Sequence, residues 1–126
     1  MKSRIALPLA ALMLVSFQVS ALCLNITESY TGVVPPKTES TAYGPFSITS
    51  ANGCSGAGID AMVSAGGAGK APEIFIEREI GSFWSRVSFS IGNNASYVGP
   101  FGNYRVRLKN EEAAPKSFSG TVRYGR

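Results

Sequence analysis

From Leu24 to Tyr124 the apolar residues of this chain recur at every second position in short runs. No window of about eleven residues in that stretch carries them at the spacing of a helix face. An alternating run is satisfied by a strand with one face toward a core and the other toward water. The clearest run is Tyr104–Lys109, where Tyr104, Val106 and Leu108 alternate with Arg105, Arg107 and Lys109. Leu24–Tyr30, Phe46–Thr49, Ile59–Ser64, Glu73–Ile80, Trp84–Ile91 and Phe118–Tyr124 read as further strands. In Glu73–Ile80 the pattern predicts Ile74, Ile76 and Ile80 on one face and Phe75, Glu77 and Glu79 on the other. In Trp84–Ile91 it aligns Val87, Phe89 and Ile91.

Between these runs lie turn and loop signals. They are Val33-Val34-Pro35-Pro36, the polar run Lys37–Thr41, the Gly/Ser/Ala-rich Ala51–Gly58, the loop Ala65–Pro72, and Gly92-Asn93-Asn94. About seven to eight short strands over roughly a hundred residues predict a single antiparallel β-sandwich of the jelly-roll type, with a closed barrel as the rival. Gly-Pro-Phe occurs at Gly44-Pro45-Phe46 and at Gly99-Pro100-Phe101, each placed before or at a strand start. Glycine permits the turn, proline fixes φ and lacks a ladder donor, and phenylalanine anchors in the core.

The first residues carry a different signal. Lys2 and Arg4 precede an apolar stretch, Ile5–Phe17, and Val19-Ser20-Ala21 offers small residues at a cleavage site. The stretch falls short of the roughly 20 apolar residues that a spanning helix needs. The expectation is a signal peptide over 1–21, removed on export, and a β-sandwich domain over 22–126. Leu22 stands where a lipoprotein signal would place a small residue, so Cys23 is assigned to a disulfide with Cys54. That bond closes a loop of about thirty residues and contributes ~3–4 kcal/mol if unstrained. Without Lys2 and Arg4, ten basic residues face eight acidic ones, a net charge of +2. So small an excess argues against nucleic acid, whose binding rests on many phosphate contacts.

From Tyr97 onward the chain resembles the closing strands of bacterial pre-peptidase C-terminal domains. The residues are Gly102-Asn103-Tyr104-Arg105-Val106-Arg107-Leu108, then Ser119-Gly120-Thr121-Val122-Arg123-Tyr124. Thr31-Gly32-Val33 and Phe46-Ser47-Ile48 fit more loosely. The acidic Asp-x-Asp-Leu-Tyr segment of that family is missing, with a lone Asp60 in its region, which puts a calcium-assisted role in doubt. The resemblance implies a non-catalytic, exported jelly roll.

The chain has no histidine. This excludes a Ser–His–Asp arrangement, a Cys–His pair and histidine metal sites, and no cofactor is expected. Glu77 and Glu79 share a strand face with Cβ atoms about 7 Å apart, within the ~5–9 Å range of glycosidase pairs, yet read as a solubilising face. Gly66-Gly67-Ala68-Gly69-Lys70 lacks the earlier glycine and the following Ser/Thr of a phosphate loop. The sequons at Asn25 and Asn94 are read as coincidental, because the Ala/Leu-rich leader has a bacterial character.

Two surfaces remain as candidate binding sites. One is basic: Arg105, Arg107 and Lys109, joined by Arg123 if the last two strands are neighbours, with Glu77 and Glu79 as pairing partners. The other is aromatic: Trp84, Tyr97, Phe101 and Tyr104 near loop tips, with Asn93, Asn94 and Asn103 for sugar hydroxyls. The expected function is an exported, non-catalytic binding module of the periplasm or cell exterior. Its partner would be a polysaccharide or an envelope or extracellular protein. The alternative is a small secreted inhibitor of a hydrolase acting through Ala65–Pro72.

Overall fold

The computed structural model describes residues 23–126, so the expected signal peptide lies outside the described residues. Eight strands follow one another: β1 (Asn25–Val34), β2 (Thr38–Ile48), β3 (Ala57–Ala65), β4 (Glu73–Ile80), β5 (Phe83–Ser88), β6 (Asn94–Gly99), β7 (Gly102–Asn110) and β8 (Lys116–Gly125). They form two four-stranded antiparallel sheets, β1-β8-β3-β6 and β2-β7-β4-β5. The fold is the expected β-sandwich, with no helix among the described residues.

The core is made by the in-phase faces. Tyr104, Val106 and Leu108 of β7 are fully buried, and so are Ile74 and Ile76 of β4. Ile59, Val63, Phe118, Val122 and Tyr124 oppose them from the other sheet. Tyr124 stacks on Phe46 at 4.3 Å between ring centroids, joining the two layers. Tyr43 also crosses the gap, its hydroxyl 2.9 Å from that of Tyr124.

Several expectations are corrected. Lys37–Thr41 is not a loop: only Lys37 turns, with φ 55°, and β2 begins at Thr38 and pairs with Asn110. Thr38 and Ser40 face the core side and Glu39 and Thr41 face out, so an edge strand with small polar inward residues hid its period. The first Gly-Pro-Phe lies inside β2, at two register shifts, whereas the second links β6 to β7. Asn94 opens a strand instead of ending a turn, and the inward positions of β6, Ala95, Tyr97 and Gly99, carry too little apolar alternation to mark it in the sequence.

β5 stops at Ser88. A register shift against β4 at Ile76/Glu77 changes the strand's phase, so Ser88 turns inward and donates to the Ser96 carbonyl at 2.6 Å. The hydroxyl of Ser90 then accepts from Ile74 N at 2.9 Å as the chain crosses to the other sheet. Phe89 and Ile91, expected in line with Val87, are left exposed. Ile80 is exposed at the β4–β5 turn, while Phe75, on the outward face of β4, is buried beneath the Arg86 guanidinium 3.6 Å from its ring centroid.

The ends of the domain are fastened together. Cys23 and Cys54 form the expected disulfide, Cα atoms 4.5 Å apart. Beside it Leu24 and Arg126 exchange backbone hydrogen bonds of 3.2 and 2.7 Å. At the opposite end, buried Asn110 donates to the carbonyls of Val34, Pro35 and Ala114 and accepts from Glu112 N. One side chain thereby holds both the β1–β2 and β7–β8 turns.

Candidate functional site

The outer face of the β2-β7-β4-β5 sheet gathers the candidate residues. Strand pairing sets Thr41, Arg107 and Phe75 in one row and Arg105 against Glu77 in the next. Alternation sends Asn103, Arg105, Arg107 and Lys109 of β7 outward, opposite their buried neighbours Tyr104, Val106 and Leu108.

The basic residues of this face do not stand alone. Arg105 donates to Glu77 Oε1 through Nε at 2.7 Å, and its Nη2 lies 2.6 Å from the same oxygen. Arg107 reaches Thr41 Oγ1 at 3.0 Å and Glu39 Oε1 at 3.3 Å, with its Nε 3.6 Å from Glu77. Arg86 lies between Glu39 and Glu73, 3.8 and 4.0 Å away. Arg86, Arg105 and Arg107 are thus matched by Glu39, Glu73 and Glu77. Their fields cancel at close range, which leaves hydrogen-bonding groups held in place without a net basic patch.

Trp84 sits at the rim of this lattice. The Arg105 guanidinium carbon lies 4.3 Å from the indole centroid, and Trp84 pairs with Glu79 in the β4–β5 ladder. The cation–π contact and the Glu77 pair fix Arg105 from two sides. One ring face of Trp84 is taken by Arg105, and the side chain as a whole is half-buried. Next to it Ser47 donates to Asn103 Oδ1 at 2.5 Å, and Asn103 Nδ2 donates to Glu79 at 2.9 Å.

Trp84, Asn103, Arg105 and Arg107 therefore come together. Lys109 shares their strand face but lies at its end, 3.1 Å from Glu111. Tyr97 and Arg123 belong to the other sheet. Tyr97 packs against the core, 5.8 Å from Tyr104 between centroids, so the expected aromatic cluster is divided. Burial, followed by the nearby Tyr97, raises the pKa of the Tyr104 phenol, and Arg78 opposes the rise. Arg123 faces Asp60 at 3.9 Å on the opposite outer face, because β7 and β8 lie in different sheets. Glu39, Thr41, Glu73, Phe75 and Arg86 were missed. The alternation of Glu39 and Thr41 was the available signal.

The loop Ala65–Pro72 is largely exposed and anchored at two points, Gly66 N to Ser117 O and Lys116 Nζ to Lys70 O. It borders a shallow cleft of about 610 Å³ with Ser90 and Asn93. Among the described residues no three His, Cys, Asp or Glu side chains are grouped to hold a metal ion. No helix there is long and apolar enough to cross a membrane.

No protein-family model matches the chain, and no curated protein matches it in sequence. Among solved structures it is similar to the Yersinia pseudotuberculosis-derived mitogen, with TM-score 0.55 and 15% identity over 79% of this chain and 86% of that one. Bacillus endospore appendages, described as disulfide-linked pili, give TM-score 0.38 and 15% identity over 88% of this chain and 96% of theirs. The first likeness supports the β-sandwich fold and nothing finer. The pre-peptidase resemblance rests on the strand motifs alone.

Proposed function

We propose that this chain is an exported, non-catalytic module that binds a neutral polysaccharide through the outer face of the β2-β7-β4-β5 sheet. The observation that carries this reading is the charge-matched lattice of Arg105, Arg107, Glu77 and Glu39 beside Trp84. A hydroxyl-rich ligand uses both donors and acceptors, and a sugar ring stacks its apolar face on indole. An acidic polymer would instead need uncompensated cations, and here each central arginine has a carboxylate. Arginine and carboxylate side chains fixed before binding lose little conformational entropy when a ligand arrives. The Cys23–Cys54 bond is compatible with an oxidising, extracytoplasmic setting.

Fluorescence of Trp84, the sole tryptophan, tests the reading directly. The purified protein is titrated with neutral and acidic polysaccharides at low and high salt. A saturable change with a neutral glycan that survives salt and disappears in Trp84→Ala is the expected result. A response confined to acidic polymers and abolished by salt, or no response to any glycan, would overturn the proposal.

A further inference from the structure

The two sheets expose four edges, β1 and β6 in one and β2 and β5 in the other. An unprotected edge is a template for another strand, and natural sheets blunt it with bulges, prolines, charges or short length. β2 carries two register shifts and Pro45. β5 and β6 have six residues each, and β5 carries a shift of its own. β1 has ten residues, no proline, and unbroken pairing with β8 from Asn25↔Gly125 to Val34↔Lys116. Its single charge is Glu28, on the core side of the strand. Its other side pairs with nothing among the described residues.

We infer that β1 is a self-association edge, pairing antiparallel with β1 of a second copy and joining two four-stranded sheets into one. The sequence of the strand selects a second copy as occupant. Alternation requires that inward residues face inward residues across the new pair. A two-fold axis at Ser29 satisfies this: Ser29 meets its own copy, Thr27 meets Thr31, Glu28 meets Tyr30 and Ile26 meets Gly32. No like charges oppose each other in that register, and Glu28, the one guard on the edge, never meets itself. Leu24 and Val33, 53% and 58% exposed, lie at the two ends of the strand and come to rest near the second copy's opposite end. The outward row Thr27, Ser29, Thr31 continues across the junction as an unbroken polar face.

The test is sedimentation velocity of the purified protein from micromolar to millimolar concentration, alongside outward-facing variants of β1. A concentration-dependent dimer is expected. Thr27→Lys with Thr31→Lys sets lysine against lysine twice and weakens it about tenfold. Thr27→Lys with Thr31→Glu sets each lysine opposite a glutamate of the second copy and restores it. These side chains lie on the solvent face, so unchanged thermal unfolding of dilute variants confirms an intact monomer. A protein that stays monomeric throughout, or a dimer indifferent to both double variants, would overturn the inference.

Discussion

The phenol of Tyr30 lies across Gly120 and spans a whole strand. From β1 it passes over β8 and donates to the Met62 carbonyl of β3 at 2.6 Å, with Thr121 O at 3.2 Å. A methyl group at Gly120 would sit 2.1 Å from Met62 O and 2.6 Å from Tyr30 Cε1. The glycine is therefore a groove that the ring fills. Its need is for space, since its φ is not in the left-handed region.

Gly120→Ala must displace backbone or ring, and overpacking of this kind costs about 2–3 kcal/mol. Tyr30→Phe keeps the ring and removes only the hydroxyl, for about 1–2 kcal/mol including the unpaired carbonyl. Denaturant unfolding should rank the variants in that order, with Gly120→Ala the more damaging. Equal stability of Gly120→Ala and the parent would show that the groove is not filled as described.

Alkaline pH should destabilise the fold. Burial, together with the Tyr124 hydroxyl, pushes the Tyr43 pKa up to about 12, and burial raises Tyr30 further. A phenol whose folded pKa exceeds its unfolded value of about 10 holds its proton longer in the native state. Its contribution is complete below pH 10 and is lost as pH climbs toward 12. Melting temperature should therefore fall across that window. Tyr43→Phe should make the fall shallower, as a pH series of thermal melts would show.

Asn110 should tolerate no change of chemistry. Its amide nitrogen faces three carbonyl oxygens, at 3.1, 3.2 and 2.8 Å. Asn110→Ala leaves those carbonyls and the Glu112 amide without their partner, for about 2–3 kcal/mol. Asn110→Asp is worse, because it aims a buried carboxylate at carbonyl oxygens, and should cost on the order of 3–5 kcal/mol. Chemical denaturation of both variants checks the ranking, and an aspartate variant as stable as the alanine one would contradict it.

Asn110 also marks where the sequence stops being readable. Tyr104, Val106 and Leu108 announce their burial by period alone, and the seven legible runs sufficed for the sandwich. Asn110 continues that phase but is polar, so nothing in its neighbours signals that it joins two turns. Phe75 shows the converse. Its outward phase follows from the alternation, but its burial depends on Arg86 from the next strand, and that contact exists only once β4 and β5 pair. Arg105 and Arg107 were visible as a cationic row. Their neutralisation was half visible, through Glu77, and half hidden in Glu39, on a strand that read as loop. Sheet assignment was beyond the pattern altogether: Arg123 and Tyr97 left the site because β8 and β6 belong to the other layer.

Glu77 is the hinge of the charge balance, since Arg105 and Arg107 both approach its Oε1. It is well shielded, with 12% of its side chain exposed. Glu77→Gln keeps the shape and one acceptor but withdraws the charge, leaving two guanidinium groups with less compensation. Stability should fall by about 1–2 kcal/mol, the range for hydrogen bonds to a charged group. The change in binding is more telling. The face gains one net positive charge, so acidic polysaccharides should begin to bind, weakly and only at low salt. Binding of a neutral glycan should weaken, because one fixed acceptor is poorer, while remaining insensitive to salt. Trp84 fluorescence reads both in the same titration. If Glu77→Gln bound acidic polymers no better than the parent, the matched charges of this face would not be what sets its preference.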